Sequence, residues 1–583
     1  MEFRKLLVLV LAVWAAHVSA PLACLAQPAA GDAAPAPFTV LFDTGATSPA
    51  PLAAGALDAR NGWTAVPEDN LTRPFTGDAV FMNDRVAVVL RPRSFGAEIY
   101  SRSRGLCTQR AALFPLGASG SAGVVSGVKI IENSQAAVMI ETVLTTPSGA
   151  PATFRFRLSA GEGLLEVRGG KGAGRLRICD QAKYLVVPDF FADDMVFDPS
   201  AHNGRRIGLP AENSVLGLID DGRAIVTCVW PSSRQNADLL LAGEGSGQGS
   251  QRTIAGYEID VPDNSHMWIA VMEGTGIWHA RRMTDQKVAP TSSGQASAEL
   301  ALEWQAPMPA RWRADFVAAG GASISTTFAD AETAESPRAD GRCRFDAGRA
   351  LVRMTDTPGA MAPRLIVVYP VERTRTTPLT AFCLVDILRN ALGVGPCQYV
   401  LDAERIGTAD NSTPEPVTHW VQKQFEKKPS KRDPDAIRDQ LAKMTLQVKR
   451  TEARIGDYVN FGQKMKQACA DFAKTPENAA AAGRLLAITE GFAAPPTAAA
   501  ATVEKLAADV AAQAEQADAL AKSQAPITAL RSVGAAQDYV LAKFRMAARR
   551  LKQESRTLAV ADPKAAAFAG EIQKQAEQML VKK

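Results

Sequence analysis

Residues 137–167 read AVMIETVLTTPSGAPATFRFRLSAGEGLLEV, and their punctuation decides the fold. Runs rich in β-branched and aromatic residues, Ala137–Val143, Thr153–Leu158 and Leu164–Val167, are separated by Ser148-Gly149 and by Gly161-Glu162-Gly163. Strand-formers bounded by glycine turns at such short spacing predict consecutive antiparallel strands. The same grammar extends upstream through Ala79–Phe81, Val86–Arg91 and Val128–Ile131. Downstream it continues through Leu176–Ile178, Tyr184–Val187, Ala224–Trp230, Asp238–Leu241, Ala255–Val261 and Met267–Met272. With almost no helical period between them, these strands predict an antiparallel sandwich rather than an α/β fold.

A smaller β-rich segment is expected from 306 to 410, with strands at Ala314–Ala318, Arg342–Phe345, Leu351–Met354 and Leu365–Tyr369. One helix is expected there after Pro378, carried by Leu379, Phe382, Val385 and Leu388 and ending by Gly393. Near Thr413 the composition turns to Ala, Lys, Gln and Glu in helical periodicity. Apolar positions at Ile437, Leu441, Met444, Val448, Ile455, Tyr458, Met465, Cys469 and Phe472 form a heptad stripe. That stripe predicts one helix on the order of 54 Å long. Further helices at 477–492, 498–522, 527–556 and 563–580 are expected to fold back on it as a bundle, with self-association through the tail as the rival use of the stripe. The predicted organisation is therefore 1–26 signal, 27–75 leader and first strands, 76–305 sandwich, 306–410 smaller β-rich domain and 411–583 helical tail.

Arg4 and Lys5 precede an apolar run, Leu6 to Ala16, that is too short to span a bilayer and is followed by small residues. This is the grammar of an export signal, best cleaved after Ala26, which places the mature chain in the periplasm or outside the cell. Lipidation of Cys24 competes, but the position three residues before it is Pro21 rather than Leu. The formal net charge is +4 with 65 basic and 61 acidic residues, and no basic arm or face is concentrated, so no nucleic-acid partner is indicated. Eight cysteines include no Cys-x-x-Cys pair, so buried free thiols are expected rather than a zinc or redox site.

No standard catalytic string is present. Gly169 to Gly174 looks phosphate-friendly but reads as a hairpin turn. Two clusters can carry chemistry. Asp189, Asp193, Asp194, Asp198 and His202 follow one strand, with Arg205 and Arg206 nearby. Close carboxylates bind calcium or raise one another's pKa until one serves as a general acid; Asp193 and Asp194 are the acid–base candidates, Asp189 and Asp198 the metal candidates, and His202 and Arg205 the ligand contacts. The bland reading is a polar loop of turn-forming aspartates. The second cluster is Tyr257, His266, Trp268, Trp278, His279, Arg281 and Arg282. Aromatic faces suit sugar rings, His and Arg suit hydroxyls and carboxylates, and a Tyr257/His279 pair suits proton transfer. The bland reading makes Trp268 a core residue.

Asn83-Asp84-Arg85, the strand after it, and Gly96-Ala97-Glu98-Ile99-Tyr100 together resemble the opening of β-supersandwich domains of the galactose-mutarotase-like kind. The resemblance covers residues 76–305 and implies a carbohydrate-handling sheet, as in several polysaccharide lyases and glycoside-processing enzymes. It hands over no catalytic residues, and the N-terminal helical toroid common in such lyases has no counterpart here. The expected function is thus an exported protein that binds, and in one version cleaves or isomerises, a poly- or oligosaccharide. The rival is a non-catalytic envelope or surface-assembly protein that works through its helical tail.

Overall fold

The computed structural model describes residues 38–282 except 104–105, 148, 190–193, 203, 232–234 and 245–250. Beyond these it describes stretches between 289 and 396, Lys427, Lys431, residues 434–492, and 544–581 apart from 546, 560, 561 and 563. The export signal, Cys24, Asp193, and the helix expected over 498–522 lie outside the described residues.

Two large antiparallel sheets face each other. The first has ten strands, ordered Arg206–Leu209, Ala237–Ala242, Thr253–Asp260, Ala173–Cys179, Leu106–Gly117, Ala97–Ser103, Val86–Leu90, Ala79–Met82, Val40–Asp43 and Thr64–Ala65. The second has nine, ordered Met195–Phe197, Tyr184–Val187, Ser214–Ile219, Ala224–Val229, His266–Glu273, Leu164–Gly169, Pro151–Ser159, Ala137–Thr145 and Val124–Asn133. Strand Pro151–Ser159 shows why this sequence makes a sandwich. Ala152, Phe154, Phe156 and Leu158 point inward into the core, while Arg155 and Arg157 point out to Glu141 on the next strand and Glu132 on the one beyond it. Each phenylalanine so buried contributes about 1.5–3 kcal/mol.

Two sequence expectations are redrawn by the sheet order. Strands Val40–Asp43 and Thr64–Ala65 belong to the first sheet itself, so the sandwich begins well before residue 76. The glycine-rich turn at 170–172 is not a hairpin. It hands the chain from the second sheet to the first, and Gly172 takes φ 78° where a Cβ would meet the Pro151 carbonyl at 2.4 Å.

The outer face of the second sheet is also covered. A third sheet, ordered His279–Arg282, Pro363–Glu372, Arg311–Ala318 and Ser323–Ala329, packs there with helix Leu384–Leu392. Leu164, Val186, Leu216 and Leu218 meet Val317, Leu365, Val367, Leu384 and Leu388 in one apolar layer. Burial on both faces explains why Ser214–Ile219 and Ala224–Val229 are buried at every position and apolar at nearly all of them. The helix starts where Asp386 accepts the Cys383 N–H at 2.9 Å and stops at Gly393, φ 78°.

The tail holds the 39-residue helix Pro434–Phe472, on which Tyr458, Met465 and Cys469 of the heptad stripe are buried. Phe472 stacks on Phe568 at 4.0 Å and Tyr458 on Phe544 at 5.8 Å, so the end of the stripe from Tyr458 onward packs against later residues of the same chain. Residues 547–559 then seat the bundle on the edge strand of the first sheet. Thr557 Oγ1 accepts the Gly208 N–H at 2.7 Å, and Arg556 pairs with Asp238 at 3.2 Å. A free sheet edge is thereby covered. Cys107, Cys179, Cys228, Cys383 and Cys469 are free thiols, and no described helix is long and apolar enough to cross a membrane.

Candidate functional site

The turn Asn83-Asp84-Arg85 is held by one side chain. Asn83 Nδ2 donates to the Ser159 and Glu162 carbonyls, each at 2.7 Å, while its Oδ1 accepts the Arg85 and Val86 N–H groups at 2.9 and 2.8 Å. The two Nδ2 bonds tie the first sheet to a turn of the second, and the two Oδ1 bonds close the turn itself. The tie places Asp84 and Arg85 at the mouth of a cleft of about 350 Å³, a size suited to a small ligand unit. Its walls come from the two large sheets and the turns beside them, Ser101 to Ser103, Leu164, Ala270 to Glu273 and Ile277, and from helix Leu384–Leu392 and its approach, Phe382 and Asn390, with Met308.

The charges in this cleft are arranged unevenly. Glu273 accepts from Ser101 Oγ and from Arg110 Nε, and Arg110 also reaches Asp220 at 2.7 Å. Burial opposes the Arg110 charge, but the hydrogen bonds from Glu273 and Asp220 outweigh it and hold its pKa above the ordinary value. Glu273 is therefore a committed acceptor, not a free base. Arg85 instead stacks on the Phe382 ring at 4.3 Å, and its Nε has no hydrogen-bond partner among the described residues.

The aspartate cluster read from the sequence lies elsewhere. Asp194 is 1% exposed; its carboxylate takes the Asp189 N–H at 2.6 Å and Arg313 at 2.8 Å. The Tyr369 hydroxyl sits between Asp194 and Asp315, 2.8 Å from the latter, and Ser325 donates to Asp315 at 2.5 Å. One O–H donates to only one of the two carboxyls at a time. Burial and then the Asp315 charge, against Arg313, raise the Asp194 pKa well above its ordinary value. A protonated carboxyl is what general acid catalysis requires, but this one is sealed under the third sheet and binds that sheet to the second.

Asp198 caps the turn Pro199–Ala201 through Ser200 and pairs with Arg282 at 2.7 Å, so it stands apart from Asp194 and its partners. Among the described residues no group of three or more potential ligands gathers, and the calcium expectation at Asp189 and Asp198 finds no donor set. His202 stacks on Phe197 at 5.5 Å, and burial lowers its pKa. Arg205 is exposed beside it in sequence.

The aromatic cluster does not converge. Tyr257 is 0% exposed on the inner face of the first sheet, where its hydroxyl donates to Asp180 at 2.9 Å, and no ligand reaches it. Trp278 is 3% exposed between the second and third sheets, its indole N–H shared by the Ile219 and Ala224 carbonyls at 2.8 and 3.0 Å. It is a packing residue rather than a sugar platform. His266 meets Trp268 edge-to-face at 4.7 Å, while His279 opens a strand of the third sheet opposite Val368. Burial lowers both histidine pKa values, Arg281 and Lys183 adding to the effect at His279. Arg281, on the same strand, is exposed. The cleft residues Arg85, Arg102, Glu273 and Phe382 escaped the sequence reading as a site, although Asn83-Asp84-Arg85 was visible as a motif.

Asp180 gives a pH test of the core. Burial pushes its carboxyl up to about 6, against the lowering hydrogen bonds from Tyr257 and Ala182. A raised folded-state pKa means that the site's stability is full below about pH 4 and is lost as pH rises through 6. Asp180→Asn should therefore flatten the stability curve between pH 4 and 7 by about 3 kcal/mol, read by urea unfolding at each pH. An unchanged slope would remove this assignment.

No family model matches the chain, and no curated protein matches it. Among solved structures, the ligand-free alpha-N-acetylgalactosaminidase NagBb from Bifidobacterium bifidum aligns with TM-score 0.23 and 11% identity over 32% of this chain. The aligned part spans 34% of that structure's length, and a likeness of this size carries no argument about activity.

Proposed function

We propose that this chain is an exported, non-catalytic carbohydrate-binding protein whose ligand occupies the seam cleft. The observation that carries the reading is the cleft itself, where Phe382 and Met308 give apolar wall and Arg85, Ser103 and Asn390 supply polar contacts. A sugar ring needs that combination, apolar wall against its ring hydrogens and polar groups around its rim, and the Phe382 ring also seats Arg85 at 4.3 Å. Binding is favoured over turnover because the raised carboxyl, Asp194, is sealed, and Glu273 in the cleft is already bonded to Arg110 and Ser101. Export rests on the Arg4-Lys5 head and the apolar run after it.

The test is calorimetric titration of the full chain with neutral and charged polysaccharides, while new reducing ends and unsaturated-uronate absorbance are followed. The expected result is saturable binding without product, weakened about tenfold by Phe382→Ala, roughly the value of one aromatic contact. Product formation would replace the binding role with catalysis. No binding to any saccharide would end the proposal. N-terminal sequencing of the exported chain should begin at Gln27; recovery of the uncleaved chain in the cytosol would end the export part.

A further inference from the structure

We infer that the ligand unit held in the seam cleft carries an acidic group, a carboxylate or a sulfate, gripped by Arg85 with Arg102 beside it. This rests on the saccharide reading above and adds to it the charge of the ligand.

The backbone sets up the grip. Val86 pairs with Ser101 across adjacent strands, and one step further the Arg102 N–H donates to the Arg85 carbonyl at 2.7 Å. Two like charges opposite each other on neighbouring strands are destabilising in the unliganded protein. Both residues nonetheless border the cleft, Arg102 with its side chain also bonded to Cys107 beside Asp58. Arg102 commits one arm to the Asn83 carbonyl, which fixes where its remaining donors lie.

Arg85 is positioned without being consumed. Its guanidinium carbon sits over the Phe382 ring, 4.3 Å from the centroid, a contact that positions the planar fork. Its contact with a carboxylate is Asp84, 3.6 Å from Nε and itself half exposed, a weak surface pair. The other acids at the cleft have their own arginines: Glu273 is bound by Arg110, and Asp386, behind Phe382, by Arg373 at 2.8 Å. The Arg85 guanidinium thus has one loosely held carboxylate beside it, and an incoming anion supplies a stronger partner. A planar carboxylate or a tetrahedral sulfate both match the guanidinium fork, so the shared feature is the anion.

The experiment titrates the full chain with three oligosaccharides of equal length, one uronate-bearing, one sulfated and one neutral, and separately with inorganic sulfate. Each titration is run on the wild type, Arg85→Ala and Arg85→Lys, with thermal melting as the folding control. The expected result is binding of at least one acidic oligosaccharide, reduced about 10- to 100-fold in Arg85→Ala. Arg85→Lys should fall between, since it keeps the charge and loses the fork. The two acidic arms decide between carboxylate and sulfate. Equal binding of the neutral oligosaccharide, or acidic binding untouched by Arg85→Ala, overturns the inference while leaving the saccharide reading standing. Arg85-dependent binding of inorganic sulfate with no saccharide bound overturns the saccharide reading and keeps the anion grip. No binding in any arm overturns both.

Discussion

Replacing Arg313 by Met should cost about 3–5 kcal/mol of stability, the penalty for removing one partner from a buried charge group. Arg313 reaches Asp194 at 2.8 Å and Asp315 at 3.7 Å, and both carboxyl groups are essentially without solvent. Methionine fills much of the volume but leaves those carboxyls facing each other across the Tyr369 hydroxyl with no cation between them. The protein has two responses, to take up protons or to part the third sheet from the second. The first is available at low pH. Because the folded-state pKa of Asp194 is raised, its stability is full below the ordinary carboxylate range and is lost as pH climbs. The deficit of Arg313→Met should therefore be small near pH 4 and grow towards pH 8. Urea unfolding at both pH values measures it. A loss below about 1 kcal/mol at pH 8, or the same loss at both, would show that the arginine is not what balances the pair. Asp315→Asn is the informative companion. It removes a like charge rather than the counter-charge, so it should cost less and should reduce the pH slope.

The same cluster shows where the sequence stops being readable. The sandwich was legible in Ala137–Leu158 because alternation of period two reports one covered face: Phe154 and Phe156 go in, Arg155 and Arg157 go out. The heptad stripe was legible for a similar reason, and Tyr458, Met465 and Cys469 are buried as its spacing requires. What periodicity does not report is which element covers the other face of a sheet. The third sheet covers the outer face of the second, and this turns Trp278 from an apparent platform into a packed residue. Tyr257 failed differently. Its neighbours in sequence suggested a polar cluster, but its strand position directs it to the inter-sheet core, onto Asp180 from another strand. Asp194 was put forward as an acid–base candidate, and the residue that completes its environment, Tyr369, lies 175 positions away. The cleft is likewise assembled from segments that no local window contains, and only its Asn83-Asp84-Arg85 corner left a trace in the sequence.

Gly96→Ala should be among the most damaging single-methyl additions to the β-body, at about 3 kcal/mol or more. A Cβ at Gly96 would lie 1.7 Å from the Leu113 carbonyl oxygen and 2.8 Å from its carbon. Those are backbone atoms of the next strand, so no rotamer change relieves the overlap and the strands must separate. Separation has consequences along both of them. Ala97 is paired with Leu113, and Glu98 holds Arg91 at 2.5 Å, so register and ion pair are disturbed together. Further along the same strand, Ser101 and Arg102 line the cleft, and ligand binding should weaken in the fraction that still folds. Gly55→Ala separates this steric cause from any general effect of losing a glycine. Gly55 is in helix Ala54–Ala59 with nothing within 4 Å of its added Cβ, and alanine there should stabilise by about 0.5–1 kcal/mol. Unfolding midpoints of the two variants should therefore move in opposite directions. If both fell by the same amount, close approach of two backbones would not be the reason a glycine stands at residue 96.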